Sequence, residues 1–540
     1  MRPLVLAFFL VCSCLNINAQ TKTERPKLMV GLMVDQMRWD YLYKYANRYG
    51  ADGFKRLLRE GFTCENTYIP YAQTVTACGH ASVYTGSVPA INDIIGNDWY
   101  SREKKRMIYC VEDESVKLVG SQKPQPMSPK NLSVTTMCDE LRIATNYKAK
   151  VIGIAIKDRG GILPAGHAAN AAYWYEGSSG NWISSSYYMN DLPGWVNSFN
   201  KRKVPDSLYK NDWNTMYPVN TYTLSDEDDK IYEGKFSNES KPVFPHKISD
   251  FSGKDYEVIS STPYGNTMTL EFAKQAIVAE GLGADDITDF LALSLSSPDY
   301  VGHKYGPNSI EVEDTYLRLD KELASFFKFL DEKFGKNYTV FLTADHGVAQ
   351  SPAYSRLNKL PGGVWNPTTS TAVKNTINNF GLKNFIENIS NYQVFLNRFA
   401  IDSAKLRFSE VKSFFINELN KEDAVHYAFD NEKINEASLP FEVKEKFIKG
   451  FQPNMSGDIQ VIMKSGYYPW ASEGTGATHG AWYPYDAHIP FVLMGWGIKP
   501  GALYRNVNMS DIAPTICSLL HIQMPSGNVG NAVGEAIGKY

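Results

Sequence analysis

The segment KLMVGLMVDQM, residues 27–37, opens with an uninterrupted apolar run that ends at Asp35. A run of this kind, without polar alternation, is typical of a strand that is buried on both faces in a parallel sheet. Two later segments repeat the pattern: DFLALSLSSPD, residues 289–299, and NYTVFLTADHG, residues 337–347. Because each run leads into an acidic residue, these three segments decide the predicted fold and point to its functional edge.

Helical periodicity lies between the apolar runs. The predicted helices cover about residues 41–59, 133–147, 269–280, 311–334 and 510–520. Two further strands are predicted in residues 149–161, where the strand runs into a loop, and in residues 488–497. Strands that alternate with helices predict an α/β fold with a central, mostly parallel sheet and helices on both of its faces.

Two stretches interrupt this alternation. Residues 193–262 are rich in Tyr, Asn, Ser and Asp with weak periodicity, and we interpret them as a capping insertion. Residues 368–468 contain strand-like and helical pieces of their own, which predicts a small inserted α+β subdomain. With 540 residues the chain is too long for one simple core. We therefore expect one catalytic domain over residues 26–540 that carries both insertions.

The N-terminus, MRPLVLAFFLVCSCLNINAQ, has the features of a secretory signal peptide. Arg2 precedes an apolar run over residues 4–12, and the small residue Ala19 marks the expected cleavage site, so the peptide is residues 1–19. The run is shorter than the roughly 20 residues needed to span a bilayer. Lipid attachment at Cys14 is an alternative, although the preceding residues make a poor lipobox. We expect a periplasmic or secreted protein, without a transmembrane segment in the mature chain, that acts as a monomer.

The net charge and the cysteine count bear on the expected partners and on disulfide bonds. The formal net charge of −3 does not favour nucleic acid as a structural partner. Cleavage after residue 19 leaves five cysteines, so at least one thiol must stay free. We propose Cys64 and Cys110 as one bridge. Cys78 lies close to a candidate nucleophile, but no base accompanies it in the sequence, and we interpret it as a small buried residue.

Residues of metal-ligand type follow the predicted strands or lie in a Gly-rich loop. These six candidates are Asp35, Asp299, His303, Asp345, His346 and His479. Open α/β sheets place their sites at the carboxyl ends of strands, where most of these residues fall. Three aspartates and three histidines suffice for two adjacent zinc sites that each keep a position open for substrate. Taken singly, each motif has a structural explanation; together they predict two-metal hydrolysis of a phosphate ester.

The motif QTVTACGHASVYTG offers Thr76 as the nucleophile. Its hydroxyl is predicted at the start of a short helix, where free N–H groups and the helix dipole favour an anion. A threonine hydroxyl needs metal coordination to ionise. An N-cap role is the alternative for Thr76, and Thr74 competes for the nucleophile role on composition alone. We expect His80 to pack within the helix.

Three further side chains are candidates for substrate contacts. Asn97, in IGNDWY, offers an amide donor for a phosphoryl oxygen. Lys157 and Arg159, in IKDRGG, are two residues apart, and in an extended segment both would point to one side. Two converging cations favour a phosphate monoester, which carries more negative charge than a diester. An ordinary charged loop, with Asp158 neutralising one neighbour, is the alternative.

Eight motifs carry a family resemblance: VDQMRWD, TVTACGHASVYTG, GNDWY, IKDRGG, SPDYVGHKYGP, TADHG, THGAWYPYDAHIP and SDIAPT. With them the sequence resembles the alkaline phosphatase superfamily, and within it the phosphate-irrepressible, PafA-type alkaline phosphatases of flavobacteria. The resemblance extends from about residue 26 to the C-terminus, and the motifs recur in the family's order. It implies an alkaline phosphatase-like fold and two zinc ions per chain, with small phosphate monoesters as substrates. We match no third metal site, so two metals are expected.

The resemblance also assigns roles to the candidates. Asp299, His303 and His479 would hold one zinc; Asp35, Asp345 and His346 would hold the other, beside and in contact with Thr76. Thr76 would attack phosphorus to form a covalent phosphothreonine, which water activated at the first zinc would hydrolyse. Asn97, Lys157 and Arg159 would contact the nonbridging oxygens.

Other members of the superfamily remain alternatives. A nucleotide pyrophosphatase/phosphodiesterase shares the threonine and the six ligands, and only Lys157 and Arg159 argue against it. A sulfatase is disfavoured because its Cys-x-Pro-x-Arg motif is absent. A phosphoglycerate mutase is disfavoured by the export signal. A secreted binding protein without catalysis would need a lost ligand or nucleophile, and none is lost.

Overall fold

The structure is a computed structural model that describes residues 24–470 and 474–538. The predicted signal peptide, with its candidate lipid-attachment residue Cys14, lies outside these residues. Among the described helices, none combines the length and the apolarity that crossing a bilayer requires.

The strands, numbered in chain order, are β1 Leu28–Val34, β2 Phe62–Tyr68, β3 Asp98–Ser101, β4 Arg106–Tyr109, β5 Leu118–Val119, β6 Val151–Ala155, β7 Ala171–Glu176, β8 Asn181–Ser185, β9 Asp289–Leu295, β10 Tyr338–Thr343, β11 Gly363–Val364, β12 Ile386–Ser390, β13 Gln393–Leu396, β14 Val425–Asp430, β15 Ile459–Met463, β16 Tyr467–Tyr468, β17 His488–Ile489, β18 Phe491–Gly495 and β19 Gly501–Asn508.

The α-helices are α1 Tyr41–Lys44, α2 Phe54–Glu60, α3 Thr76–Thr85, α4 Pro89–Asn92, α5 Met137–Ala144, α6 Asp158–Ala165, α7 Gly194–Lys201, α8 Val204–Tyr209, α9 Tyr264–Ala279, α10 Ser297–Tyr305, α11 Ile310–Phe334, α12 Pro352–Leu357, α13 Thr371–Phe380, α14 Arg398–Ser403, α15 Phe408–Leu419, α16 Phe441–Gly450, α17 Pro484–Ala487 and α18 Ile512–Leu520. Short 3₁₀ helices cover Val219–Thr221, Ile248–Phe251, Glu257–Ser261, Asn431–Glu436, Met509–Asp511 and Gly534–Ala536.

A large mixed sheet forms the centre of the molecule. Its strand order is β17-β2-β18-β10-β1-β9-β6-β7-β8-β5, with β19 paired to β2. The five central strands from β10 to β7 are parallel to one another. Antiparallel strands flank them, β18 on one side and β8 on the other. The predicted α/β class is confirmed, and the antiparallel pairing is confined to the flanks of a parallel centre.

Helices cover both faces of this sheet. Successive residues of a strand point to opposite faces, and β7 shows both environments. The Tyr173 ring lies 5.5 Å from the ring of Phe272 in α9, on one face. The next residue, Trp174, packs in a buried cluster with Ala77 of α3 and Ile162 of α6, on the other face. Burial on both sides explains why the central strands are uninterrupted apolar runs.

The helix predicted over residues 41–59 is wrong in its middle. The structure has α1 and α2, joined by turns. The cause is a distant side chain: Asp320 of α11 accepts hydrogen bonds from the backbone N–H groups of Gly50, at 2.7 Å, and Phe54, at 2.8 Å. These bonds stabilise the turn and the first residue of α2, so a continuous helix does not form.

A second sheet, in the order β12-β13-β15-β14, lies within residues 386–463 and is entirely antiparallel. Its strands and the helices α13 and α15 share a buried cluster that includes Val394, Val411 and Phe415. The stretch 193–262 contains α7, α8 and three of the 3₁₀ helices. Its large side chains, among them Phe199 and Trp213, pack into the main core.

All five described cysteines are buried and free, so the proposed Cys64–Cys110 bridge is wrong. The two residues lie in different parts of the interior: Cys64 belongs to the main core, and Cys110 packs in a separate cluster with Trp99. Cys78 is a small buried residue, as predicted, and its Sγ donates to the carbonyl oxygen of Ile94 at 3.0 Å.

Candidate active site

The carboxyl ends of the parallel strands converge on one pocket of polar side chains. Asp35 directly follows β1, and Asp345 and His346 follow β10 by two and three residues. Lys157 follows β6, and Asp299 lies in the first turn of α10, just after β9. Because these strands are parallel neighbours, their ends meet at the same edge of the sheet.

One group of candidate ligands consists of Asp299, His303 and His479. Nε2 of His303 lies 3.2 Å from Oδ1 of Asp299 and 3.1 Å from Nε2 of His479. Nε2 of His479 lies 3.5 Å from the same aspartate oxygen. Asp299 and His303 are one turn apart in α10, so the helix presents both on one face. These three donors surround one point.

The second group consists of Asp35, Asp345 and His346, all fully buried. Nε2 of His346 lies 3.4 Å from Oδ2 of Asp345 and 3.6 Å from Oδ1 of Asp35. His346 also lies within ligand distance of Asp299 and His479, so the two groups are adjacent. Gly79 of α3 makes this arrangement possible, because a Cβ at that position would lie 2.3 Å from the carbonyl oxygen of Asp345.

The three candidate ligand histidines are oriented in the same way. Nδ1 of His303 bonds the carbonyl oxygen of Ala477 at 2.8 Å. Nδ1 of His346 bonds that of Gly347 at 2.9 Å, and Nδ1 of His479 bonds that of Thr74 at 2.7 Å. Because a carbonyl oxygen only accepts, Nδ1 carries the proton and Nε2 presents its lone pair to the site. This is how metal-binding histidines are usually held.

Two carboxylate oxygens in the second group have no hydrogen-bond partner among the described residues, although both are buried. They are Oδ1 of Asp35 and Oδ2 of Asp345. An unpaired buried carboxylate oxygen is energetically costly, and a coordinated cation removes the cost. Burial, reinforced by the Asp345 carboxylate, raises the pKa of Asp35 well above its usual value, which records the same excess of negative charge. The donor set therefore fits metal ions.

Burial lowers the pKa of His346 to about 3, so its imidazole is neutral at physiological pH. Neutral imidazole is the form that binds metal.

Thr76 is the first residue of α3, and its hydroxyl faces the second group. Its Oγ lies 3.5 Å from Nε2 of His346 and 3.3 Å from Nζ of Lys157. The preceding residue, Val75, has extended backbone, so α3 begins at Thr76 and its first N–H groups have no partner within the helix. A hydroxyl held at this position, beside candidate metal ligands, has the geometry of a nucleophile for an anionic substrate.

Three other polar residues of these motifs, Thr74, His80 and His488, have structural partners. The Thr74 hydroxyl donates to the carbonyl oxygen of Ala481 at 2.8 Å. His80 is fully buried, with Nδ1 2.8 Å from the carbonyl oxygen of Thr76 and Nε2 2.8 Å from Oγ of Ser294. His488, which follows the loop of His479, stacks against Trp39 with ring centroids 4.6 Å apart.

Lys157 reaches the site, but not through the predicted geometry. The prediction of an extended segment with Lys157 and Arg159 on one side is wrong, because α6 begins at Asp158. Lys157 is the N-cap residue, and its Nζ lies 2.7 Å from Oδ2 of Asp35 and 2.5 Å from Oδ2 of Asp299. Burial alone would lower the pKa of Lys157, but these two carboxylates outweigh it and raise the pKa. The ammonium joins the two ligand groups.

Arg159 lies in the first turn of α6 and is held by an aromatic side chain. Its Nη1 donates to the hydroxyl of Tyr109 at 3.1 Å, and that hydroxyl donates in turn to Oδ1 of Asp158. The Nε of Arg159 is buried without a partner among the described residues. The guanidinium therefore retains an unused donor.

Asn97 precedes β3 and is fixed against the start of α3. Its Oδ1 accepts a hydrogen bond from the backbone N–H of Ala77 at 2.9 Å. This bond orients the side-chain amide beside Thr76 and directs Nδ2, its only donor, away from Ala77.

Two further residues shape the site but have no signal in the sequence. Gln36 has a left-handed backbone with φ of 66°, and its side chain donates to Oδ1 of Asp299 at 2.7 Å. Its backbone N–H donates to Oδ1 of Asp345 at 3.0 Å. The buried Asp486 accepts from the N–H groups of Gly480, at 3.0 Å, and Ala481, at 2.9 Å, which fixes the loop that carries His479.

Comparison with known proteins agrees with this geometry. Residues 29–482 match the family model described as type I phosphodiesterase / nucleotide pyrophosphatase. The alkaline phosphatase PhoV of Synechococcus elongatus is 51% identical, over 98% of this chain and 98% of its own. A protein of Myroides odoratus named a calcium-transporting ATPase is 50% identical, over 96% of each chain.

The alkaline phosphatase PafA of Elizabethkingia meningoseptica is 47% identical, over 99% of each chain. Its crystal structure superposes with a TM-score of 0.93 over 96% of this chain and 100% of that one. The predicted superfamily, fold class and enzyme class are thereby confirmed. The chain therefore belongs to the type I phosphodiesterase / nucleotide pyrophosphatase family and, within it, to the PafA-type alkaline phosphatases, which makes it a phosphate monoester hydrolase.

Proposed function

We propose that this alkaline phosphatase uses two zinc ions and a covalent phosphothreonine to hydrolyse small phosphate monoesters. The observation that carries the proposal is the position of the Thr76 hydroxyl, 3.5 Å from His346 and 3.3 Å from Lys157. Asp299, His303 and His479 would hold one zinc, and Asp35, Asp345 and His346 the other, with Thr76 in contact with the second ion.

When bound, zinc supplies Lewis acidity, which favours ionisation of a hydroxyl and stabilises a leaving oxygen. Thr76 Oγ attacks phosphorus, so that a Thr–O–P bond forms while the ester P–O bond breaks and the alcohol leaves. Water then cleaves the Thr–O–P bond, which releases phosphate and restores the Thr76 hydroxyl. The positive end of the α3 dipole, at Thr76, would favour the anion throughout.

Asn97, Lys157 and Arg159 would bind the nonbridging oxygens of the phosphoryl group. Lys157 already lies between the two ligand groups, and Arg159 is held by Tyr109 with its Nε unpaired. Two cations and an amide match the charge of a monoester better than that of a diester.

The second candidate activity is phosphodiester hydrolysis, which the matching family model favours because its description names a phosphodiesterase. One experiment separates the two: kcat/KM is measured for matched aryl phosphate monoesters and alkyl aryl diesters on purified enzyme with measured zinc content. We expect two zinc ions per chain and a strong preference for the monoester. A preference for the diester would reject the proposal.

The proposal includes an exported, monomeric enzyme. Cleavage of a signal peptide over residues 1–19 would release a periplasmic or secreted catalytic domain over residues 26–540. The cap at 193–262 and the subdomain at 368–468 would be insertions in that domain. N-terminal sequencing of the enzyme from the periplasmic or culture fraction tests the cleavage site. Light scattering of the same sample tests the monomer.

A further inference from the structure

The turn between β12 and β13 has an unfavourable residue in its second position. Ser390 pairs with Gln393, so the connection consists of two residues, Asn391 and Tyr392. Both have left-handed backbone, with φ of 52° and 58°. Turns of this type favour Asn followed by Gly, because the second position is strained for any residue with a β carbon. Strain of this kind persists where the surrounding contacts impose it.

Those contacts are made with two loops of the active site. The Asn391 side-chain Nδ2 donates to the carbonyl oxygen of Asp98 at 2.7 Å. The approach is close: a Cβ on Gly96 would lie 2.5 Å from the Asn391 amide nitrogen. Asn391 therefore contacts the residues on either side of Asn97. Among the described residues of the subdomain, none has a hydrogen-bond partner nearer to Asn97 along the chain than Asp98, the partner of Asn391.

The Tyr392 ring lies against the other loop. A Cβ on Gly480, the residue after the candidate ligand His479, would lie 3.2 Å from Cε2 of Tyr392. The Tyr392 backbone is itself fixed, because its carbonyl oxygen accepts from the N–H of Val461 at 2.9 Å. The two-residue turn thus places the Tyr392 ring against the loop of His479 and the Asn391 amide against the loop of Asn97.

The direction of the Asn97 side-chain amide depends on how the backbone around Asn97 is held. Its side-chain Oδ1 accepts from Ala77, its carbonyl oxygen accepts from the N–H of Cys110 at 2.9 Å, and the next carbonyl oxygen is the one that Asn391 holds. Removal of the Asn391 amide would break its hydrogen bond to the carbonyl oxygen of Asp98, so the loop of Asn97 would be held less firmly. The direction of the Asn97 amide toward a phosphoryl oxygen would then be less well defined.

Other contacts keep the subdomain attached when that amide is removed. The Tyr100 and Phe395 rings pack edge to face with centroids 5.3 Å apart. The Arg102 guanidinium lies over Phe395 at 4.8 Å and donates to the carbonyl oxygen of Ser456 at 2.9 Å. A change at Asn391 can therefore be made without separating the two parts.

We propose that Asn391, in the inserted subdomain, is a positioning residue for Asn97 in the hydrolysis of phosphate monoesters. The inference rests on the proposed role of Asn97 as a donor to the phosphoryl group. It makes the subdomain a part of the catalytic machinery that acts through its hairpin tip.

The test is a double-mutant cycle on the full-length enzyme with Asn391→Gly and Asn97→Ala. Glycine accepts the left-handed backbone, so the first variant removes the amide without adding strain to the turn. We expect kcat/KM for an aryl phosphate monoester to fall about three- to tenfold, the scale of one hydrogen bond. The melting temperature and the zinc content should stay unchanged. In the Asn97→Ala background the same change should have no further effect.

Lys105→Ala is the matched control, because Lys105 makes an exposed ion pair with Glu387 across the same interface and should leave kcat/KM unchanged. Full activity of Asn391→Gly, beside an impaired Asn97→Ala, would overturn the inference alone. An equal loss in the presence and absence of Asn97 would also overturn it, since Asn391 would then act elsewhere. Full activity of Asn97→Ala would overturn the proposed role of Asn97 itself.

Discussion

Oγ of Thr76 lies 3.5 Å from Nε2 of His346, although the two residues are 270 positions apart in the chain. Thr76 is held by the start of α3 and His346 by the end of β10, so two rigid elements set the distance. The His346 ring is fixed by its bond to the carbonyl oxygen of Gly347. The proposed nucleophile and a candidate ligand are thus placed together before substrate arrives, which is the requirement for catalysis by positioning.

Replacement of Thr76 by Ala should remove the nucleophile while leaving the ligands intact. We expect kcat for an aryl phosphate to fall by roughly 10³-fold or more, with zinc content unchanged. Thr76→Ser, which keeps the hydroxyl, should retain most of the activity. Thr74→Ala is the matched control, because that hydroxyl bonds to Ala481 and should matter far less. Unchanged turnover in Thr76→Ala would eliminate this residue as the nucleophile.

Removal of the metal should affect stability as well as activity. The buried oxygens of Asp35 and Asp345 would lose their compensating charge, so we expect chelation to lower the melting temperature and added zinc to restore it. Asp299→Asn should reduce the content from about two ions per chain to about one. Metal analysis and calorimetry measure both effects. A melting temperature that is insensitive to chelation would contradict the assignment of these carboxylates as ligands.

Tyr109 should control the monoester preference through Arg159. Loss of the phenol hydroxyl in Tyr109→Phe frees the guanidinium from its acceptor, and we expect a loss of about three- to tenfold in kcat/KM for the monoester. Arg159→Ala should cost about 10²-fold on the monoester and much less on a diester. In the Arg159→Ala background, Tyr109→Phe should have no further effect. Equal losses on both ester classes would contradict the role of Arg159 in specificity.

The convergence of the candidate ligands was predictable because strand ends can be read in the sequence. An apolar run that stops at an aspartate, as at Asp35, combines a buried strand with a polar group at the edge where strands of this fold converge. The geometry of Lys157 and Arg159 was not predictable, because a spacing of two has one meaning in a strand and another at the start of a helix. Only the position where β6 ends decides between them.

Other contributions to the site depend on contacts between distant parts of the chain. Gln36 bonds Asp299, 263 residues away, and Asn391 bonds Asp98, 293 residues away. Neither has a motif of its own, since a Gln after a strand and an Asn in a turn are common. Their roles come from the packing of α10 and of the subdomain against the site, which no local pattern reports. The interrupted helix between α1 and α2 has the same origin, in Asp320.

The enzyme should become less stable as pH rises, because of two titratable groups within residues 193–262. Burial, together with the nearby Glu311, raises the pKa of Glu233 to about 9 from a usual 4.5. Burial alone would lower the pKa of His246, but hydrogen bonds to Glu239 and Glu311 raise it to about 9 from 6.5. Both groups hold their protons in the folded state after the unfolded state has lost them. The contribution of Glu233 to the free energy of unfolding therefore declines between about pH 4.5 and about pH 9. That of His246 declines between about pH 6.5 and about pH 9.

The melting temperature measured against pH checks this. Glu233→Gln, which stays uncharged, should decrease the slope over that range. Glu227→Gln is the matched control in the same segment, because that side chain is 91% exposed. A stability that rises between pH 7 and pH 9 in the unmodified enzyme would contradict the sign.

The central claim is that phosphoryl transfer proceeds through Thr76 in two displacements, and the stereochemical course at phosphorus tests it most directly. An aryl phosphate made chiral with oxygen isotopes and sulfur is hydrolysed in isotopically labelled water, and the configuration of the released thiophosphate is determined. Each in-line displacement inverts the configuration, so a covalent phosphothreonine predicts overall retention. Overall inversion would show direct attack by water and would contradict the account.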